Sequence, residues 1–207
     1  MPRARARRTI ENVYRRFGFG LIAGVDEVGR GCLAGPVLAG AVVLDPDRHI
    51  PGLADSKILS AQARARLYDL IQARAVAWAV GIAEPPEIDR YNIHRASLRA
   101  MARAVEALAP QPDLVLVDAF QISGLPMAQH AIVGGDRRCA AIAAASIMAK
   151  VTRDRLMDAL HARDARYRFD RHKGYATAEH LAAVAAFGFS DAHRRSFRPA
   201  TLFDTLD

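Results

Sequence analysis

The stretch Gly24–Leu44, "GVDEVGRGCLAGPVLAGAVVL", decides how the fold begins. With the residues before and after it, it forms two apolar runs, "FGLIAGVDEVG" and "GPVLAGAVVLD", punctuated by Gly29, Gly31, Gly35 and Pro36. Such runs read as neighbouring strands joined by a turn, with Arg30 on the turn. Asp26 and Glu27 interrupt the first strand. Successive strand residues point to opposite faces, so adjacent carboxylates cannot both serve one site from a regular strand. The longer Glu stem and a strand end distorted at Gly29 are what would bring them together.

Outward from there, "SAQARARLYDLIQAR" (Ser60–Arg74) has an N-cap in Ser60 and Leu67, Leu70 and Ile71 at helical spacing. "AVAWAVGIAEP" reads as a third strand stopped by Pro85 and Pro86, with Trp78 in the core. Asn92 is placed to cap a helix from Ile93 to about Leu108. "DLVLVDAF" predicts a buried strand ending at Asp118, and "QHAIVGGD" another ending at Asp136. The next segment, to Asp164, is an Ala-rich helix whose small residues allow close packing on a sheet. From about Tyr167 the chain reads as loop with one or two short helices. Alternating strands and helices predict an α/β domain with a mixed sheet and a helical C-terminal part.

Bulk properties narrow the function classes. A chain of 207 residues can bury a substantial core, so one domain over residues 9–207 is expected, preceded by a basic disordered tail at residues 1–8. The formal charge of +7 favours an anionic partner such as nucleic acid, although Arg also serves solubility alone. Cys32 and Cys139, the two cysteines, lack metal-site spacing and suit a reducing cytoplasm. No run approaches the ~20 apolar residues of a membrane span, and no signal core follows the basic start, so a membrane role is not expected. A monomer is expected. The C-terminal "TLFDTLD" reads as a frayed helix.

Asp26 with Glu27, Asp118 and Asp136 all stand at predicted strand ends. Strand ends of an α/β sheet form one rim, where acids distant in sequence can converge. Taken singly, Asp118 reads as a helix cap and Asp136 as an acid favourable to the N-terminus of the long helix. As a buried cluster they would need a cation, because desolvation and repulsion both oppose ionisation. All-oxygen ligation points to Mg²⁺ or Mn²⁺.

Together with "DSKILS", "VDAF", "GGD", "AAASIMAKVTRDRLM", "HKGYAT" and "GFSDAHRRSF", the opening motif resembles the type 2 ribonucleases H, specifically the bacterial ribonuclease HII family, over about Ile22 to Phe197. The resemblance implies a ribonuclease H-like fold, a five-stranded mixed sheet flanked by helices. It also implies a metal-dependent endoribonuclease that hydrolyses the phosphodiester 5′ to ribonucleotides embedded in duplex DNA and in RNA/DNA hybrids. Two ions, Mg²⁺ or Mn²⁺, would be held by a catalytic tetrad falling on Asp26, Glu27, Asp118 and Asp136, leaving 3′-hydroxyl and 5′-phosphate ends. Gly29, Arg30 and Gly31 would read the ribose 2′-hydroxyl, Tyr175 would stack on the following deoxyribose, and Lys57 would lie near the substrate phosphate.

Only Lys57, Lys150 and Lys173 are Lys among 29 Lys and Arg residues, and all three fall inside these motifs. Such placement suggests sites needing a compact ammonium. Ser146 and Lys150, four apart on the long helix, share a face and are placed toward the nucleic acid or in helix packing. Asp154 lies too far along that helix to be the fourth acid. Two departures from the family pattern, Ala119 for Gly and Cys32 for Pro, predict tuning rather than loss of activity.

Overall fold

A computed structural model describes residues 6–197. Five strands, β1 (Ile22–Val28), β2 (Val37–Leu44), β3 (Ala75–Ala83), β4 (Leu114–Asp118) and β5 (Ala128–Ile132), form one sheet in the order β3-β2-β1-β4-β5. The β1–β2 and β2–β3 pairs are antiparallel, and β4 runs parallel to both β1 and β5. This is the mixed five-stranded sheet expected. The helices are α1 (Thr9–Arg16), α2 (Ala61–Arg74), α3 (Pro85–Tyr91), α4 (Ile93–Glu106), α5 (Gly135–Arg138), α6 (Ala140–Arg163), α7 (Phe169–His172) and α8 (Ala178–Phe187), with a 3₁₀ turn at Ala165–Tyr167.

The three central strands, β2, β1 and β4, are buried on both faces, whereas the edge strands β3 and β5 are partly exposed. Ile22, Val42, Leu114 and Leu116 pack under α6 and α2, and Ala23, Val25, Val115 and Val117 under α4. The alanines of α6 are explained by backbone proximity: a Cβ at Gly24 would stand 2.1 Å from the Ala141 carbonyl carbon. A helix with larger side chains on that face would be lifted off β1. Ser60 caps α2 and Asn92 caps α4, each through its side chain, as expected.

Several expectations need correction. Residues 6–8 are fixed rather than a loose tail: the Ala6 N–H donates to Leu53 O at 3.0 Å, and Arg8 donates to the carbonyls of Asp45, Pro46 and Arg48. The remainder of the predicted tail, and the C-terminal "TLFDTLD", lie outside the described residues. Pro85 and Pro86 do not merely stop β3; they open α3, where a missing N–H costs nothing. Trp78 is not core: β3 is an edge strand, and the residue is 36 % exposed, its ring against Tyr68. Finally, β5 ends at Ile132. Gly134, at φ +63°, turns the chain into α5, so Asp136 sits on a short helix, not at a strand end.

Candidate active site

Asp26 and Glu27 obey strand alternation. Ile22 faces α6 whereas Ala23 and Val25 face α4, so Asp26 points toward α6 and Glu27 toward α4. They straddle the end of β1 instead of sharing a face. Val25 pairs with Val117 in parallel register, which sets Asp118 beside Asp26 on the α6 face. Asp118 Oδ1 accepts the Gly135 N–H at 2.8 Å, tying the end of β4 to α5. Asp136, on α5, is buried with its Oδ2 3.7 Å from Lys57 Nζ. The Lys57 side chain is 80 % exposed. The parallel pairing of β1 with β4 and the α5 turn thus carry all four acids to one rim of the sheet.

The rim is electrostatically uncomfortable. Burial, the neighbouring Glu27 charge and, more weakly, Asp118 hold the Asp26 carboxyl well above the usual carboxylate range, and the Ser146 hydroxyl offsets this only in part. Burial also raises Glu27, against the pull of Arg30, whose Nη1 lies 3.3 Å from Glu27 Oε1. Burial and Asp55 raise Asp136, which Lys57 lowers. Glu27 Oε2 is buried and has no hydrogen-bond partner. Among the described residues no group of three or more Asp, Glu, His or Cys side chains stands at metal-ligating spacing. A buried oxygen without a donor, in an all-carboxylate set, fits a hard divalent cation such as Mg²⁺ or Mn²⁺.

Beside the acids runs the turn Gly29–Gly31. Gly29 adopts φ +92°, and a Cβ there would stand 2.3 Å from Arg153 Nε. The turn is held from beneath by two fully buried arginines. Arg194 donates to the carbonyls of Gly29 at 2.6 Å, Arg30 at 3.0 Å and Gly35 at 2.9 Å. Arg153 donates to those of Ala34, Pro36 and Lys173. Burial pushes Arg194 down to about 10, still charged at neutral pH. Gly31 is different: a Cβ there would meet nothing within 4 Å. The fold does not require its small size, and the space above it is open for a ligand.

Tyr175 pairs with Cys32 as an isolated antiparallel bridge next to this turn, and the residue is 43 % exposed. A chain of histidines supports its backbone. The Tyr175 carbonyl only accepts, so His180 donates to it from Nδ1 at 2.9 Å and must accept at Nε2 from His193 Nε2, 3.0 Å away. His193 Nδ1 accepts in turn from the Ser190 N–H at 3.0 Å. Burial pushes both histidines down to about 4, so they are neutral and the chain has one polarity.

Of the other expected residues, Ser146 faces the rim with its hydroxyl 2.9 Å from Ser56 Oγ. Lys150 pairs with Asp154 at 2.7 Å, one turn along α6. Ala119 holds φ +63°, a left-handed conformation that disfavours any Cβ. The sequence reading missed Asp55, Ser56, Arg153, His180 and Arg194. Each lies in or beside a quoted motif, but nothing in a single sequence distinguishes a buried arginine from a surface one.

A mixed 3-2-1-4-5 sheet with helices on both faces and carboxylates gathered at the ends of its first and fourth strands defines a hydrolase of the ribonuclease H-like class. The sequence model of the family described as Ribonuclease HII matches residues 23–200. A Ribonuclease HII of Nitrosococcus oceani is 57 % identical over 182 residues, 88 % of this chain and 90 % of that one. One of Vibrio cholerae is 54 % identical over 88 % of each chain. In three dimensions the chain resembles the ribonuclease H2 of Pyrococcus horikoshii, with a TM-score of 0.73 at 24 % identity, covering 86 % of this chain and 94 % of that one. The chain belongs to the ribonuclease HII family, and with it to the metal-dependent ribonuclease H endonucleases that act on nucleic acid.

Proposed function

We propose that this chain nicks duplex DNA on the 5′ side of embedded ribonucleotides, and likewise cuts RNA/DNA hybrids, leaving 3′-hydroxyl and 5′-phosphate ends. The observation that carries this reading is the juxtaposition of a buried, partnerless Glu27 carboxylate oxygen in a four-acid rim with a glycine turn open above Gly31.

Asp26, Glu27, Asp118 and Asp136 are assigned to hold two Mg²⁺ or Mn²⁺ ions, which when bound supply an activated water and neutralise charge on the leaving oxygen. The chain's own residues do the positioning. Arg194 fixes the Gly29 and Arg30 carbonyls, so the turn meets the ribose without reorganising. Gly29, Arg30 and Gly31 read the 2′-hydroxyl, the group that separates RNA from DNA at that point. Tyr175, its carbonyl held by His180, packs on the next deoxyribose. Exposed Lys57 reaches a substrate phosphate, and Ser146 and Lys150 line the α6 side of the rim. Residues 9–207 act as one catalytic domain, as a monomer in the cytoplasm.

Gel cleavage of an end-labelled duplex with one ribonucleotide tests this, in Mg²⁺, in Mn²⁺ and in chelator, for wild type and Asp118→Asn. The expected result is a nick that needs metal and disappears in the variant. Binding without cutting in every metal condition would overturn the catalytic reading.

A further inference from the structure

Phe120 is a large aromatic on the active-site rim, 41 % exposed, where burial would be the norm. Its position is imposed. Asp118 ends β4, Ala119 takes the left-handed conformation, and the Phe120 N–H returns to Asp118 O at 2.8 Å, so the chain reverses and sets the ring on the rim beside the acid. One side of the ring carries the Arg30 guanidinium, 5.4 Å from the ring centroid, and His94 of α4 packs edge-on at 5.1 Å. Arg30 is the turn residue that also reaches Glu27. The Gly29–Gly31 turn is therefore bracketed by two exposed aromatics, Phe120 on the Arg30 side and Tyr175 on the Cys32 side.

We propose that Phe120 is a substrate-contact residue, packing its ring on the sugar face of a nucleotide flanking the cut, on the side of the turn opposite Tyr175. This rests on the nuclease reading above. The occupant follows from duplex chemistry: paired bases stack on one another and the thymine methyl lies in the major groove, so in the minor groove, where a 2′-hydroxyl is displayed, the apolar surfaces a duplex offers are sugar faces. An aromatic held against a cation, next to a site for a polyanion, supplies apolar area while Arg30 supplies charge. Covering one sugar face corresponds to roughly a five- to tenfold change in affinity.

The test is steady-state nicking of a duplex with one ribonucleotide. Phe120→Ala is expected to raise KM roughly five- to tenfold with little change in kcat, as loss of uniform binding does, and Phe120→Tyr to restore it. The same KM effect should persist in an Arg30→Ala background. An unchanged KM for Phe120→Ala overturns the proposal, and so does an effect that vanishes without Arg30, which would make Phe120 a brace for the guanidinium. A second arm places the single tryptophan at this position, using Phe120→Trp with Trp78→Phe in the Asp118→Asn chain. Adding duplex should shift its emission to the blue, and no shift counts against the contact. A wild-type chain that does not nick sinks the parent reading instead, and the emission arm then decides the Phe120 contact alone.

Discussion

Ala119 holds φ +63° directly after Asp118, where a Cβ crowds the following carbonyl. That conformation costs an L-residue about 1–2 kcal/mol, and glycine adopts it freely. Ala119→Gly therefore removes about 1–2 kcal/mol of strain but adds about 0.5–1 kcal/mol of unfolded-chain entropy to be lost on folding. The net is a stabilisation of about 0.5–1 kcal/mol, or a Tm roughly 2 °C higher for a chain of this size. The control is Ala159→Gly, an exposed position inside α6, where the same change should cost about 1 kcal/mol and lower Tm by roughly 2–4 °C. Thermal unfolding followed by circular dichroism on the two variants reads opposite signs if the backbone argument holds. If Ala119→Gly lowers Tm as Ala159→Gly does, Ala119 is not left-handed and the aim of Phe120 loses its cause. Metal-dependent nicking should be present in both wild type and Ala119→Gly; activity that appears only in the variant would refute the view that Ala119 tunes the site.

Three further outcomes are expected. The Asp26 carboxyl binds its proton more tightly folded than unfolded, so its ionisation costs stability above the folded pKa and costs none below the unfolded value. Metal-free Asp26→Asn should thus melt above wild type at pH 7, with the gap closing towards pH 4, and added Mn²⁺ should raise the wild type more than the variant; calorimetry decides. His180 and His193, lowered to about 4 from an ordinary 6.5, bind protons more weakly folded than unfolded, so stability is full above about pH 6.5 and declines as pH falls towards 4. His193→Gln should flatten that decline, and an unchanged slope would refute the chain's polarity. Gly31→Ala meets no neighbouring atom, so folding stability should stay within about 1 kcal/mol of wild type, a Tm shift of no more than roughly 2–4 °C, while cutting at a ribonucleotide falls sharply; loss of both together would make Gly31 a folding residue.

The central strands were legible because each is a short apolar run closed by a turn residue or an acid, and α2 and α4 because Ser60 and Asn92 announce them. Other elements were not. α1 offers the core only two partly buried apolar side chains, Ile10 and Tyr14, and its one buried residue is Glu11, which accepts the Ala141 N–H at 2.8 Å, a contact no apolar stripe announces. "QHAIVGGD" carries its strand pattern up to Asp136, yet Gly134 breaks it, and single-sequence pattern cannot say which glycine of a pair turns left-handed. Trp78 misled because hydrophobicity reports a preference for burial, whereas exposure at an edge strand depends on sheet order. The acids were visible one by one, but their meeting depends on parallel pairing of β1 with β4, some ninety residues apart in sequence. The supports Arg153, Arg194 and His180 escaped too: each donates to backbone carbonyls, which leave no trace in side-chain identity.

The central claim is that carboxylates cut where the neighbouring glycine turn senses one hydroxyl. Its most direct measurement compares two end-labelled duplexes differing only in a single 2′-hydroxyl, with the cut mapped to the nucleotide and the new ends identified. The account predicts a nick in the ribonucleotide duplex alone, on its 5′ side, with 3′-hydroxyl and 5′-phosphate ends; equal cutting of both duplexes, or a cut on the 3′ side, would contradict it.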